Sequence, residues 1–283
     1  MDVRRLVVGL LAGAAGIAAL AGALARWAGT GPVTAAEVLA TRLEAAGDRS
    51  LAGGPFVVLY PPGQAEAARV VLAELLHDYP AEAADLGARL GRRLYVVLYP
   101  STADLDRTAG LSPAQDDIGL YDAGTIRLAA PTSWIRVRPW QPVFAREGPV
   151  AHELGHALLD AAAHGNYPAW FNEGVAQYED WRLTGFVWLT PHNRLDGPLY
   201  SIQRLTTAFY DLPDQSRAYR QALALVRFLV ARGGPQGLRA LVAALERGVP
   251  FDRALEHVYG LSPRALEAAW RASLAGRGAL AGG

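Results

Sequence analysis

The sequence predicts an α+β chain in which a small mixed sheet with helices precedes a mostly helical C-terminal part. Three observations lead to this prediction. Before Trp140, short β-type runs alternate with helical patterns. After Trp140, apolar residues recur mainly at helical spacing. An uncharged apolar run at residues 6–25 precedes both parts. The chain has 283 residues, 51% of them hydrophobic, which suffices for one large domain or two closely packed halves.

The N-terminal segment predicts export. Residues 6–25 contain no charged side chain and follow the two arginines of "MDVRR". A membrane-spanning helix needs about 20 apolar residues, and positive charges before it favour a cytoplasmic N-terminus. Cleavage is the alternative, because residues 23–25 have the small-x-small form that signal peptidase accepts. We therefore expect residues 1–29 to be a signal anchor or signal peptide with a linker. The rest would be extracytoplasmic on a single-pass anchor, or secreted after cleavage.

The elements of residues 30–145, the predicted N-terminal α+β subdomain, follow from local patterns. Helical stretches repeat apolar residues with a period near 3.6, β-type runs are rich in Val and Tyr, and Ser is a favoured helix N-cap. The predicted elements are a helix at 35–47, a strand at 55–60, a helix at 64–80 that stops at Pro80, a strand at 92–100, a helix capped by Ser101, and a hairpin at 118–130 that turns at Asp122-Ala123-Gly124.

Residues 146–283 form the predicted helical C-terminal subdomain. The stretch "YRQALALVRFLVARGG" at 219–234 is strongly apolar-periodic, and the next helix begins at Pro235, because proline is favoured at a first helical position. Ser262 and Pro263 open a further helix in the same way. Residues 182–214 are rich in Pro, Asn and Asp, and we expect loops near a site there.

The stretch "PVAHELGHALLD" contains the pattern of a metal site. His152 and His156 are four residues apart, so a helix places both imidazoles on one face. Glu153 is rotated by about 100° from His152 and can stand beside an ion as a general base. The chain has no cysteine, so any metal must be held by His, Asp or Glu. The alternative is a core helix whose histidines bond to carbonyls, but burying such groups without partners costs about 1–3 kcal/mol each.

A second motif, "WFNEG", places Glu173 seventeen positions after His156. "HELGH" followed by "WFNEG" resembles the gluzincin metallopeptidases, in particular the peptidase-MA-like branch related to the M1 aminopeptidases. The resemblance implies a thermolysin-like core, a Zn²⁺ ion held by His152, His156 and Glu173, and Glu153 as the catalytic base. Without it, Glu173 would be an ordinary carboxylate near a helix start.

The same resemblance nominates Tyr219, which opens the helix "AYRQALALVRFL", as the donor to the oxyanion. Tyr200 and Tyr210 are alternatives, and simple aromatic packing is another interpretation of Tyr219. The resemblance also implies a strand that binds the substrate at a sheet edge, for which residues 124–130 are the candidate. The chain lacks the G-x-M-E-N element with which M1 aminopeptidases hold a free amine, so exopeptidase activity is not implied.

Other polar residues have less specific roles. Metal-bound histidines need partners on their second nitrogen, and four residues are candidates without a choice among them: Asp160, Asn172, Gln177 and Asp180. The remaining histidines lack ligand spacing and are interpreted as surface or loop residues: His77, His164, His192 and His257.

The resulting hypothesis is a zinc-dependent metallopeptidase that hydrolyses peptide bonds of a peptide or protein substrate through a metal-activated water. A nucleic-acid partner is not expected, because 27 basic residues balance 27 acidic ones. The alternative is a non-catalytic zinc-containing extracytoplasmic binding module. A zinc hydrolase acting on another bond is a third possibility.

Overall fold

The N-terminal part is built on one mixed sheet. The computed structural model describes residues 48–112, 117–122, 124–187 and 194–280, with side chains as far as residue 274. The strands are β1 (Arg49–Gly53), β2 (Phe56–Tyr60), β3 (Leu94–Tyr99), β4 (Gly119–Asp122) and β5 (Thr125–Ala129). Their order in the sheet is β1-β2-β3-β5-β4. The predicted segment 6–25 and the predicted helix at 35–47 lie outside the described residues.

The strand pairing is antiparallel at both edges and parallel in the middle. β1 pairs with β2 and β4 pairs with β5 as antiparallel hairpins, while β3 lies parallel to both β2 and β5. The predicted strands at 55–60 and 92–100 and the hairpin at 118–130 are confirmed. β1 was not predicted, because "RSLAG" has neither apolar alternation nor β-branched residues.

The prediction that residues 124–130 form the edge strand is wrong. β5 lies between β3 and β4, and all five of its residues are buried. The Arg127 guanidinium is buried and donates a 2.6 Å hydrogen bond to the Tyr99 hydroxyl on β3. The edge strand is β4, whose residues are all partly exposed.

The helices pack against both faces of the sheet and form the C-terminal part, with Leu105 of the second helix on the face opposite the main core. They are α1 (Ala65–Leu86), α2 (Thr102–Thr108), α3 (Pro131–Trp134), α4 (Gln141–Glu147), α5 (Val150–Ala163), α6 (Ala169–Thr184), α7 (Ile202–Thr207), a 3₁₀ turn (Phe209–Asp211), α8 (Gln215–Glu246), α9 (Phe251–Tyr259) and α10 (Pro263–Leu280). The predicted cap is confirmed, since Ser101 Oγ accepts a hydrogen bond from the Asp104 amide.

α1 does not stop at Pro80, as the sequence predicted, but continues to Leu86. Proline inside a helix costs about 3 kcal/mol because it removes a hydrogen bond and crowds the preceding turn. The apolar face outweighs this cost: Leu75 before Pro80 and Leu86 after it are both buried in the core. The helix ends instead at Gly87, which adopts the left-handed conformation with φ 65°.

α5 packs between α1 of the N-terminal part and the C-terminal helices. It contacts α1, α6 and α8, and α6 also packs against α8. α8 is bent at Gly234, directly before Pro235, so the two helices predicted on either side of this point are confirmed as two arms. Residues 182–214 are less irregular than predicted, since α6 reaches Thr184 and α7 and the 3₁₀ turn follow. Among the described helices, none is both long enough and apolar enough to span a membrane.

Candidate metal centre and active site

The three predicted ligands converge on one point. His152 and His156 lie one turn apart on α5, and their Nε2 atoms are 3.1 Å apart. Glu173 reaches the same point from α6, with Oε2 3.6 Å from His152 Nε2 and 3.5 Å from His156 Nε2. A pattern on one helix and a residue seventeen positions later are therefore brought together by the antiparallel packing of α5 and α6.

The spacing of these donor atoms fits a tetrahedral metal ion. Ligand atoms about 2.0–2.2 Å from zinc are about 3.3–3.6 Å from one another. The measured separations, 3.1, 3.5 and 3.6 Å, lie within or close to this range. Two imidazole nitrogens and a carboxylate oxygen also match the ligand types that zinc accepts. Such electron-rich atoms repel one another at this distance unless a proton or a cation lies between them.

Two glycines of the motifs let the helices approach closely. A Cβ atom at Gly155 would lie 3.1 Å from the Ala176 Cα on α6, and one at Gly174 would lie 2.5 Å from the Ala222 carbonyl oxygen on α8. A larger residue at Gly174 would therefore push α6 away from α8. Since Glu173 is the adjacent residue, the glycine of "NEG" sets the position of the predicted third ligand.

Asn172 orients His156. The Asn172 Oδ1 atom is 2.9 Å from His156 Nδ1. In this arrangement Nδ1 carries the proton and donates it, which leaves the lone pair of Nε2 facing His152 and Glu173. Of the four candidate partners, Asn172 is thus the one that bonds to a predicted ligand ring.

The other three candidates have different roles. Gln177 Nε2 donates to the Tyr219 carbonyl at 2.8 Å and so links α6 to α8. Asp160 accepts from the Tyr121 hydroxyl at 2.8 Å. Asp180 lies close enough to His152 to interact with its charge, and its Oδ1 accepts from the Thr184 hydroxyl.

Glu153 lies beside the ligands, against the edge strand β4. The Tyr121 backbone lies close enough to its carboxylate to favour the ionised form. A Cβ atom at Gly119 would be 3.0 Å from Glu153 Oε1 and even closer to Pro149. The absence of a side chain at Gly119 therefore allows β4 to run directly along the start of α5. Sequence reasoning missed both contacts, because it placed the edge on the other strand of the hairpin.

The titratable groups of the centre shift one another's pKa values. Burial opposes ionisation of Glu173, but the two histidines outweigh it and hold its pKa well below the usual range. Burial also opposes the charge on His156, yet the neighbouring Glu173 raises its pKa to about 9. For Glu153, burial is the larger effect and raises the pKa, while the two histidines oppose it. The two glutamates are thus biased in opposite directions by their surroundings.

The three tyrosine candidates are separated by the structure. Tyr219 is half-buried and lies close enough to Glu173 and Glu153 for both charges to act on its hydroxyl group. The Tyr210 hydroxyl donates to Glu173 Oε1 at 2.8 Å. Tyr200 is used elsewhere, since its hydroxyl accepts from the Asp214 amide at 3.0 Å. Tyr219 and Tyr210 therefore both reach the centre.

Comparison with known proteins places this site in a family. The family model described as "Peptidase MA superfamily" matches residues 118–276, more than half of the chain. The chain belongs to the Peptidase MA superfamily. The matched range begins at β4 and includes both motifs and the tyrosines, so the predicted peptidase-MA resemblance is confirmed.

Among solved structures, the M1 zinc metallopeptidase from Deinococcus radiodurans matches with a TM-score of 0.44 and 15% identity, over 78% of this chain and 50% of that one. A mutant of the same enzyme matches with a TM-score of 0.44 and 17% identity, with the same shares of the two chains. The chain thus spans about half the length of these structures. No curated protein sequence matches it.

This member of the Peptidase MA superfamily also buries carboxylates between α1, α5 and α6. Glu82 on α1 is fully buried, and within the described part of the chain neither of its carboxylate oxygens has a hydrogen-bond partner. Its Oε2 lies 3.6 Å from where a Cβ atom at Gly155 would be. Glu179 on α6 is also buried and pairs with Arg182. Burial raises the pKa of Glu82 well above its ordinary value, and that of Glu179 to about 8.

A second group of ligand-type residues lies on α1 and extends from exposed His77 to buried Asp78. Glu74, His77 and Asp78 bring their donor atoms within 4.8 Å of one another. His77 is largely exposed, as predicted, and its Nδ1 is 2.9 Å from Asp78 Oδ1. His164 and His257 are exposed, also as predicted, and His192 lies outside the described residues.

Proposed function

We propose that the chain is a zinc-dependent metallopeptidase with His152, His156 and Glu173 as the metal ligands. The observation on which this depends most is the convergence of two imidazole nitrogens and one carboxylate oxygen within 3.1–3.6 Å of one another. Membership of the Peptidase MA superfamily supports the same chemistry. Zinc bound there would supply a Lewis acid that polarises a carbonyl group and acidifies a water molecule.

Glu153 is the proposed general base. Its carboxylate is not part of the group of three ligand-type residues and lies against Gly119 of β4, beside the proposed ligands. Burial raises its pKa, and a carboxylate with a raised pKa is a better general base because it accepts a proton more readily. Glu153 would take a proton from the attacking water and pass it to the nitrogen of the leaving amine.

Tyr219 is the proposed donor to the carbonyl oxygen as that oxygen gains charge. Its hydroxyl group is near enough to the proposed ligand Glu173 and the proposed base Glu153 for both charges to act on it, which supports a place beside the reacting carbonyl. Burial and these two carboxylates raise its pKa well above the ordinary value, so the phenol stays protonated and can donate.

The free edge of strand β4 supports the proposal that the substrate is a peptide. The Ala129 amide donates to the Ile118 carbonyl, and Gly119 is paired with Leu128. In an antiparallel pair, hydrogen-bonded and non-hydrogen-bonded positions alternate, so the main-chain groups of Gly119 and Tyr121 point away from β5. An extended peptide that adds to this edge would pass beside Glu153.

Metal analysis tests the site assignment. We expect the purified full chain to retain one zinc per chain and His152→Ala to lose it. His257→Ala is the matched control, because His257 is exposed on α9, and it should keep the metal. Stoichiometric zinc in His152→Ala would contradict the proposed ligand set.

Peptide cleavage tests the reaction and separates it from the alternative of a non-catalytic zinc-containing module. The wild-type chain should cleave members of a diverse peptide library. Glu153→Gln should keep its zinc and lose cleavage by about 10²–10⁴-fold, the usual contribution of a general base. If neither protein cleaves any peptide while both hold zinc, the binding module is favoured.

We also propose that residues 6–25 place the catalytic part outside the cytoplasmic membrane. The uncharged length of this segment and the arginines before it support the proposal. Protease added to intact cells should digest the chain if this is correct. Protection until the cells are lysed would contradict it.

A further inference from the structure

Residues 194–214, the part of the chain that leads into α8, are called the strap here. It includes α7 and the 3₁₀ turn, and it carries Tyr210. The ring of Tyr210 is about half exposed, but its hydroxyl reaches inwards and donates to Glu173 Oε1 at 2.8 Å. The other oxygen of the same carboxylate, Oε2, faces the two histidines at 3.5 and 3.6 Å. The two oxygens of Glu173 therefore have separate partners.

We propose that Tyr210 is a positioning residue of the metal centre, which holds Glu173 through Oε1 so that Oε2 alone is presented to the ion. This inference rests on the proposed function. It assigns Tyr210 a role different from that of oxyanion donor, which the sequence had left open.

The physical reason lies in the freedom of a glutamate side chain. The terminal torsion of glutamate is broad, so the carboxylate alone has no preferred rotation. Carboxylates bind metal ions through one oxygen or through both. A hydrogen bond to Oε1 removes this choice, because rotation of Oε1 towards the ion would break it. Partners that hold metal ligands in this way contribute about 10–100-fold to metal affinity.

The strap is itself fixed where it carries Tyr210. Gln215 Nε2 donates to the carbonyl oxygens of Phe209 and Leu212, which lie on either side of Tyr210, at 2.9 Å each. Further along, the fully buried Gln221 accepts from the Tyr200 amide at 2.8 Å and donates to the Tyr200 carbonyl at 3.1 Å. Side chains of α8 therefore hold the backbone that delivers the hydroxyl.

The positions of the two tyrosines separate their roles. A phenol has a single O–H group to donate, and that of Tyr210 points to Glu173 Oε1. No such hydrogen bond joins the Tyr219 hydroxyl to Glu173 among the described residues. The hydrogen bond to Glu173 Oε1 therefore assigns Tyr210 to the ligand, and Tyr219 stays the proposed donor to the oxyanion.

Metal affinity measured by chelator competition on the full chain tests the proposal. Tyr210→Phe keeps the ring and removes the hydroxyl, and we expect it to bind zinc about 10–100-fold more weakly. With Co²⁺ in place of zinc, the visible absorption should change, because the carboxylate gains freedom to bind through both oxygens. Tyr259→Phe is the matched control: the Tyr259 hydroxyl is buried and has no partner among the described residues. It should change neither measurement.

Each result decides the question. Zinc affinity and a cobalt spectrum equal to those of wild type in Tyr210→Phe would overturn the proposal and leave the metallopeptidase function standing. An equal loss of affinity in Tyr259→Phe would show a general effect on folding and would also overturn it. A wild-type chain that binds no zinc would overturn both the positioning role and the proposed function.

Discussion

The crossing of α5 and α6 and the strap both deliver groups to Glu173, but they are specified differently. At the crossing, the two histidines are placed by their helical spacing, Gly155 allows the close approach of α5 to α6, and Gly174 allows the close approach of α6 to α8. Along the strap, Tyr210 is placed by individual hydrogen bonds from side chains of α8 to the strap backbone. The crossing depends on backbone packing, and the strap depends on separable polar contacts.

This difference predicts different responses to mutation. A backbone contact at a helix crossing cannot be relieved by rotating a side chain, so damage there should affect the fold as a whole. A hydrogen bond between a side chain and a loop can be removed alone, at a net cost of about 1–3 kcal/mol when a buried partner is left unsatisfied. Damage to the strap should therefore weaken the site before it unfolds the protein.

The largest effect is expected for Gly174→Val. The new Cβ would meet the Ala222 carbonyl oxygen at 2.5 Å, and backbone on both sides must move. We expect a loss of about 3 kcal/mol or more in the free energy of unfolding, the upper range for overpacking. Urea denaturation measures it. Gly91→Val is the control, since nothing lies within 4 Å of a Cβ there. Equal midpoints for the two variants would refute the packing argument.

The second largest effect is expected for Tyr219→Phe, which should lower the turnover rate. Removing one donor to a developing oxyanion lowers kcat by about 10²–10³-fold. Zinc affinity should change little, in contrast to Tyr210→Phe, whose activity should recover when zinc is saturating. Steady-state kinetics on a peptide identified from the library, at two zinc concentrations, separates the two patterns. If Tyr219→Phe turns over at the wild-type rate, Tyr219 is not the donor.

The same contrast explains what the sequence could predict. The ligands His152, His156 and Glu173 were predicted because spacing on one helix and a short motif encode them locally. The edge strand was assigned to residues 124–130 instead of β4, since the order of strands in a sheet depends on pairing between distant segments. The helix around Pro80 was ended too early because buried leucines beyond the proline, which stabilise it, depend on tertiary packing.

The roles of the tyrosines also could not be predicted from local sequence alone. Sequence reasoning named Tyr200, Tyr210 and Tyr219 without separating the roles of the first two. What separates them is which hydroxyl reaches Glu173, and this depends on the path of the strap. The closeness of Glu153 to the Tyr121 backbone had no local signal beyond the predicted hairpin.

A smaller effect is expected for Gln221→Ala, which tests the strap directly. The change leaves the amide and carbonyl of Tyr200 without their partner in α8, at a cost of about 1–3 kcal/mol. We expect faster limited proteolysis within residues 194–214 and weaker zinc binding, with the fold retained. Gln236→Ala, at an exposed position of α8, is the control. Unchanged proteolysis in Gln221→Ala would show that the strap is held by other contacts.

The smallest effect at any single pH is expected for Glu82→Gln, between α1, α5 and α6. Glu82 faces Glu179, Asp78 and Asp180, with Arg182 as the nearby cation. Burial, followed by the neighbouring carboxylates, raises its pKa well above 4.5 in the folded protein. Folding therefore favours the protonated form. The stability contributed by Glu82 is complete below pH 4.5 and is lost as the pH rises towards the folded pKa.

Glutamine cannot ionise, so Glu82→Gln removes this loss while keeping the shape of the side chain. The variant should gain stability over wild type by up to about 1.4 kcal/mol for each pH unit within the window. Thermal melts across a pH series measure the difference, and subtraction of the two curves cancels the contribution of the metal centre, which both proteins share. A constant difference from acid to neutral pH would mean that the pKa of Glu82 is the same in the folded and the unfolded protein, and therefore that a cation or water stabilises its charge beneath Gly155. Either result shows whether α5 packs on α1 over a neutral or a charged Glu82. The proposed metal ligands on α5 do not determine this.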